Sequence, residues 1–195
     1  MNLNKLRDRA YKNACEHGFH DKELTDDHFL MLVICELAEA VEADRKGRLG
    51  LECKSRFEKD YNRYPNFSEE KKRFKCSFVK HVKDSVPDEL ADAVIRLLDL
   101  AGLRGINLEL ANRDFDECIE DMAEACEDKI FIESIYSIST LPVRYNGIFD
   151  FPTAVNDMIL SIFGLAKHLD IDLLWHIEQK MRYNELREYK HGKKY

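Results

Sequence analysis

A chain of 195 residues is long enough for one domain of ordinary size. With 45 % hydrophobic and 34 % charged residues it has the balance of a soluble globular chain and no signature of disorder. A net charge of −7, from 30 basic and 37 acidic side chains, gives no ground for a nucleic-acid coat or an anionic membrane surface. Neither a stable nucleic-acid complex nor a membrane partner is expected. No apolar run approaches the roughly 18 residues that span a bilayer. The opening "MNLNKLRDRAYKNACEHGF" mixes charge with apolar residues and has no signal-peptide core. The six cysteines are scattered, with no CxxC pair, so they read as reduced, structural side chains of a cytoplasmic protein.

Four prolines and eight glycines, with apolar residues recurring at three and four, predict an all-α chain. A first helix is expected over about 2–17, closed by Gly18. A second runs over about 27–45, with Asp26 or Asp27 as N-cap and Gly47 beyond its end. The charged stretch 48–84 holds one or two short helices. A third main helix starts at Ser85, has Pro87 in its first turn and ends at Gly102 or Gly105. One long helix is expected over 110–138, then a break through Leu141-Pro142 and "RYNGIFDFP". Helices at about 152–168 and 171–188 complete the bundle.

Part of this pattern occurs twice. Residues 92–108, "DAVIRLLDLAGLRGINL", align without gaps to 157–173, "DMILSIFGLAKHLDIDL". Residues 36–43, "ELAEAVEA", align to 121–128, "DMAEACED". The chain reads as a single helical-bundle domain, residues 1–195, built on an internal duplication of a helix pair. Residues 1–110 form one half and 111–195 a degenerate second half plus a basic tail. Glu89 of the first copy is Ala154 in the second, while Asp92 is kept as Asp157.

The acids of the first copy are placed unusually. Glu36 and Glu39 lie three apart on the second helix and share a face. At about 100° per residue Glu36 falls among apolar neighbours, between Phe29 and Ala43. Glu89 and Asp92 form the same pair on the third main helix, with Arg96 one turn further on. Either pair alone is ordinary for a solvated helix. Packed antiparallel, the two apolar helices bring four carboxylates together, and burying so much like charge calls for a cation. Oxygen ligands without a nearby His or Cys set select Mg²⁺, with Mn²⁺ the alternative, over Zn²⁺. The C-terminal stretch is basic, with Lys180, Arg182, Arg187, Lys190, His191, Lys193 and Lys194. These side chains suit phosphate oxygens or simply complement the dipole of the last helix. Tyr183, Asn184 and Tyr195 stand among them as possible contacts to a base or sugar.

Glu36-Leu-Ala-Glu39 followed by Glu89-Leu-Ala-Asp92 resembles the ExxE…ExxD signature of MazG-like nucleoside triphosphate pyrophosphohydrolases. These belong to the all-α NTP pyrophosphatase superfamily, with the dimeric dUTPases and phosphoribosyl-ATP pyrophosphohydrolase. "DELADAVIRLLDLAG…GINLE" and "KMRYNELREYKHGKKY" are similar to later segments of such proteins. The resemblance implies a helical bundle, Mg²⁺ dependence, and hydrolysis of an NTP or dNTP to a nucleoside monophosphate and pyrophosphate. It implies Glu36, Glu39, Glu89 and Asp92 as metal ligands, with Glu36 and Glu39 catalytic and Glu39 the group to orient water. Arg96, Lys180, Tyr183, Asn184, Arg187, His191, Lys193 and Lys194 are the expected substrate contacts. It also implies a homodimer, for which the apolar run "HFLMLVIC" offers a face. The gap from Glu39 to Glu89 exceeds the family's usual spacing, so residues 49–84 form an insertion expected to fold over the site or shape specificity. The alternatives are a dUTPase-like or phosphoribosyl-nucleotide enzyme, or a non-catalytic nucleotide-binding member.

Overall fold

The computed structural model of the chain describes residues 2–63, 69–108 and 114–189. Among them the fold is all-helical. Its elements are α1 (Leu3–Glu16), α2 (Asp26–Arg45), α3 (Cys53–Tyr61), α4 (Glu70–His81) and α5 (Val86–Leu103). They continue with α6 (Phe115–Glu124), α7 (Phe131–Ser139), α8 (Leu141–Tyr145), α9 (Phe151–His168) and α10 (Leu173–Glu185). None of these helices is long and apolar enough to cross a membrane.

The centre of the bundle is α5, against which α1, α2, α9 and α10 all pack. Its sequence dictates that position. Leu90, Ala91, Ala93, Val94, Leu97 and Leu98 are fully buried and make one broad apolar face, while Asp88, Asp92 and Arg96 lie on the opposite side. In α2, Phe29, Val33, Leu37 and Ala40 form the buried stripe, while Met31 faces outward. Of the apolar run "HFLMLVIC", Phe29 and Val33 are thus spent inside the protomer, while His28, Leu30, Leu32, Ile34 and Cys35 are half-buried. Thr25 caps α2, accepting the His28 N–H, in place of Asp26 or Asp27. The two aspartates fall inside the first turn, where the helix dipole favours them. Ser85 precedes α5, yet its hydroxyl donates to the Val82 carbonyl at 2.6 Å instead of capping the helix.

The single helix expected over 110–138 is two, α6 and α7; residues 109–113 lie outside those described. No Gly or Pro makes the break. Side chains make it by satisfying backbone groups on either side: Lys129 Nζ donates to the Ala125 carbonyl at 2.7 Å, and the Glu133 carboxylate accepts the Ile130 N–H at 3.1 Å. The turn lets the apolar face of α7 reach α2 and α9.

The repeat seen in the sequence has a structural counterpart. α6 packs on α9 as α2 packs on α5. Pro87 and Pro152 occupy the first turns of α5 and α9. Both helices end in the same closing turn: Ile106 N–H donates to Ala101 and Ile171 N–H to Ala166, each at 2.8 Å. The residue before each donor is left-handed, Gly105 at φ +63° and Asp170 at φ +56°.

Residues 49–84 supply α3 and α4, which pack together through Phe57, Phe74 and Phe78. Tyr183 of α10 stacks on Phe78 with ring centroids 4.5 Å apart. The insertion is therefore an aromatic clamp on α10.

The second helix pair is packed to backbone contact. A Cβ added to Gly164 of α9 would stand 2.4 Å from the Met122 Cβ and 2.7 Å from the Met122 carbonyl carbon on α6. Gly164→Ala is expected to destabilise the protein by about 1–3 kcal/mol, read as a lowered midpoint in thermal unfolding. An unchanged midpoint would show that α6 and α9 are not held this closely.

Candidate metal centre

The pairing of α2 with α5 gathers acids from both helices. One carboxylate oxygen each from Glu36, Glu89 and Asp92 lies within 4.8 Å of the others. Glu36 and Glu89 are buried and Asp92 is half-buried. Glu39, one turn along α2, is exposed and stands outside this group. The four-carboxylate set expected from the sequence is thus a cluster of three with Glu39 on the solvent side. Glu36 and Glu39 share a broad face of α2, and the acids of α5 converge on Glu36 rather than on Glu39.

A further carboxylate belongs to the site. Asp88 of α5 is 1 % exposed. Its Oδ2 accepts the Lys180 ammonium at 2.7 Å and the Asp84 backbone N–H at 3.0 Å, while its buried Oδ1 has no partner among the described residues. Asp84 is left-handed at φ +60°, a conformation uncommon outside glycine, and this turn aims its N–H at Asp88. Next to Glu89, Asp88 reads as an ordinary first-turn acid. The stripe Asp88, Asp92, Arg96, at steps of four on one helix face, was the sign that it belongs with the others.

Two cations expected to contact substrate are already engaged by carboxylates. Arg96 Nε donates to Glu36 Oε1 at 2.5 Å. Lys180 Nζ reaches Asp88 at 2.7 Å and Asp92 at 2.8 Å, with the lysine 4 % exposed. Lys180 is therefore part of the interior and not of a solvated tail. Tyr183 and Asn184 are buried on the same helix, and the Arg187 guanidinium lies 5.9 Å from the Tyr183 ring centroid. His191, Lys193 and Lys194 lie outside the described residues. One turn before Lys180, His176 is buried and its pKa is pushed down to about 4 by that burial, so it is neutral near pH 7.

The electrostatics follow from burial and like charge. Burial, then Asp88, raises the Glu89 carboxyl to about 8. Burial also raises Asp88, to about 6, with Lys180 pulling against it. Burial works to discharge Lys180, but Asp92 and Asp88 outweigh it and hold the ammonium above its ordinary range. Four carboxylates (Glu36, Asp88, Glu89, Asp92) face two cations (Arg96, Lys180). Near pH 7 the raised Glu89 is largely protonated, which leaves one negative charge uncompensated; with Glu89 ionised there are two. The protein's own cations thus meet half of the demand that the sequence assigned wholly to a metal.

A divalent cation fits what remains. The three carboxylate oxygens lie within 4.8 Å of one another, close enough for one hard divalent ion to reach them all. All the donors are carboxylate oxygens, which suits Mg²⁺ or Mn²⁺ chemistry, and with Glu89 ionised the uncompensated charge equals that of one such ion. Compared with family models, curated proteins and solved structures, the chain matches none.

Glu89 supplies a test. Its folded pKa is raised above the unfolded value of 4.5, so its stabilising contribution is complete below about 4.5 and is lost as pH rises toward about 8. Near pH 7 the penalty is roughly 3 kcal/mol. In chelator, Glu89→Gln is expected to unfold at a higher temperature than the parent near pH 7, with the difference fading toward pH 4.5. Thermal unfolding across this range measures it; no gain near neutrality would mean that the carboxylate is not penalised there.

Proposed function

We propose that the protein is a divalent-cation-dependent nucleoside triphosphate pyrophosphohydrolase, converting an NTP or dNTP and water to the monophosphate and pyrophosphate. The observation that carries this reading is the meeting of Glu36, Glu89 and Asp92 across α2 and α5, the two helices whose ExxE and ExxD spacings resemble the MazG-like pattern. Glu36, Glu89 and Asp92 would hold the cation, Mg²⁺ or Mn²⁺ by donor type. Bound there, such an ion supplies neutralisation of triphosphate oxygens and of the charge that develops as the phosphoanhydride bond breaks.

The remaining parts are the chain's own. Lys180 and Arg96 hold Asp92 and Glu36 in fixed orientations, so their role is positioning and not phosphate contact. Glu39, the exposed carboxylate one turn from Glu36, would orient the attacking water as its base; its exposure to solvent supports this reading. The aromatic clamp of α3 and α4 on α10 fixes the helix that carries Lys180. dUTP or a phosphoribosyl nucleotide as the preferred substrate would use the same chemistry. A second reading, a nucleotide-binding protein without turnover, is favoured by the extent to which Arg96 and Lys180 already pair with the acids.

Pyrophosphate release from a panel of NTPs and dNTPs with Mg²⁺ separates these readings. The expected result is turnover of at least one nucleotide, falling by about 100-fold or more in Glu36→Gln and in Glu39→Ala, with helicity retained. No release from any nucleotide at high protein concentration, together with nucleotide-dependent thermal stabilisation, would replace the enzyme with the binding protein. A homodimer belongs to the same proposal. Ile132, Tyr136, Val143 and Phe149, exposed on α7, α8 and the turn after it, offer apolar surface beside that of Met31, Leu32 and Ile34 on α2. Light scattering is expected to give twice the chain mass of 22.9 kDa at micromolar concentration, and a monomer mass would refute it.

A further inference from the structure

The second helix pair has a cavity of its own, with chemistry opposite to that of the first. A cavity of about 180 Å³ lies among α6, α7, α8 and α9. Lys129, Ser134, Ser137, Arg144, Tyr145 and Ser161 give it its polar lining. Among the described residues no carboxylate lines it, in a chain whose net charge is −7. The repeat accounts for a missing acid and a missing cation, while Lys129 and Arg144 come from outside it. Ser161 stands where the first copy has Arg96, and Ala154 where it has Glu89. Asp157, the counterpart of Asp92, is engaged by the Tyr145 hydroxyl, which donates to it.

Ser134 points to a ligand. Its side chain is 3 % exposed and its Oγ has no hydrogen-bonding partner among the described residues. Buried hydroxyls in native proteins are nearly always satisfied by protein, water or ligand. The two cations keep donors in reserve. Lys129 spends one N–H on the Ala125 carbonyl, and Arg144 Nη2 donates to the Ser137 carbonyl at 2.6 Å. A lysine has three N–H donors and an arginine five.

We propose that this cavity binds a small, multiply charged oxyanion of the phosphate or pyrophosphate class, held by Lys129, Arg144 and the Ser134 hydroxyl. Guanidinium and ammonium groups beside a hydroxyl match the acceptor oxygens of such an ion, and two cations balance a phosphate dianion. The volume is several times the roughly 30 Å³ share of one water. It is well below the roughly 300–1,000 Å³ of pockets that enclose drug-sized ligands, which favours a small ion over an enclosed nucleotide. This site stands apart from the carboxylate cluster and does not depend on the activity proposed for it.

Calorimetric titration of the full chain tests the site, with inorganic phosphate and with pyrophosphate in separate runs. Chelator keeps divalent cations, and any anion they would recruit, away from Glu36, Glu89 and Asp92. The expected result is saturable binding of one anion per chain, weakened about tenfold or more in Arg144→Gln and in Ser134→Ala and unchanged in Glu36→Gln. The tighter of the two anions identifies the ligand. Arg144 and Lys129 are exposed, so Arg144→Gln and Lys129→Gln remain testable if Ser134→Ala fails to fold. No saturable binding of either anion overturns the proposal. So does equal binding by the parent and Arg144→Gln, which would reduce the effect to the general action of phosphate on protein surfaces.

Discussion

The ammonium of Lys180, set between Asp88 and Asp92 inside the protein, is the interaction on which the site depends. Burial and Coulomb attraction oppose each other there. Isolated in this interior, either aspartate or the lysine would be driven toward its neutral form. Together they stay charged, because each supplies what the other has lost from water. Arg96 does the same for Glu36 from the opposite helix. These two pairs let α2, α5 and α10 close over four acids. They also leave an excess of negative charge, so the site is both folded and short of positive charge. The cation proposed above would complete it electrostatically.

Much of this was legible in the sequence, and the failures have physical causes. The apolar periodicity of α2, α5 and α9 located the core helices, because side chains enclosed on one face or on most faces leave a strong 3.6-residue pattern. The ExxE and ExxD spacings located Glu36, Glu89 and Asp92. Spacing says which residues share a helix face but not how much of that face a neighbour covers, and so Glu39 was grouped with acids it does not join. Asp88 was missed, and Lys180 placed in a solvated tail, for a related reason. Their burial is set by α10, whose packing on α5 depends on contacts more than eighty residues apart. The break between α6 and α7 was hidden because Lys129 and Glu133 cap it with side chains, where glycine or proline would have announced it. The insertion at 49–84 showed one or two short helices but not its task, since the partner of its aromatic residues is Tyr183.

The duplication shows how far one scaffold can diverge in charge while its backbone stays put. The closing turns at Ile106 and Ile171 agree in every hydrogen bond compared, even though glycine serves at one and aspartate at the other. Side chains on the same framework have moved in opposite directions. The first pair concentrates carboxylates against buried cations; the second has exchanged Glu89 for Ala154 and Arg96 for Ser161 and brings lysine and arginine to its cavity. Fold and chemistry are separable here within a single chain.

The reach from Asp88 to Lys180, 92 residues, has a consequence for how the molecule comes into being. During synthesis α5 leaves the ribosome long before α10. Until α10 arrives, Asp88 and Asp92 lack the Lys180 ammonium, and the side of α5 that α10 covers faces water. Burying these acids without their counter-ion is unfavourable. Lys180 acts as a closing latch: the helix that encloses Asp88 carries in the charge that makes the enclosure tolerable.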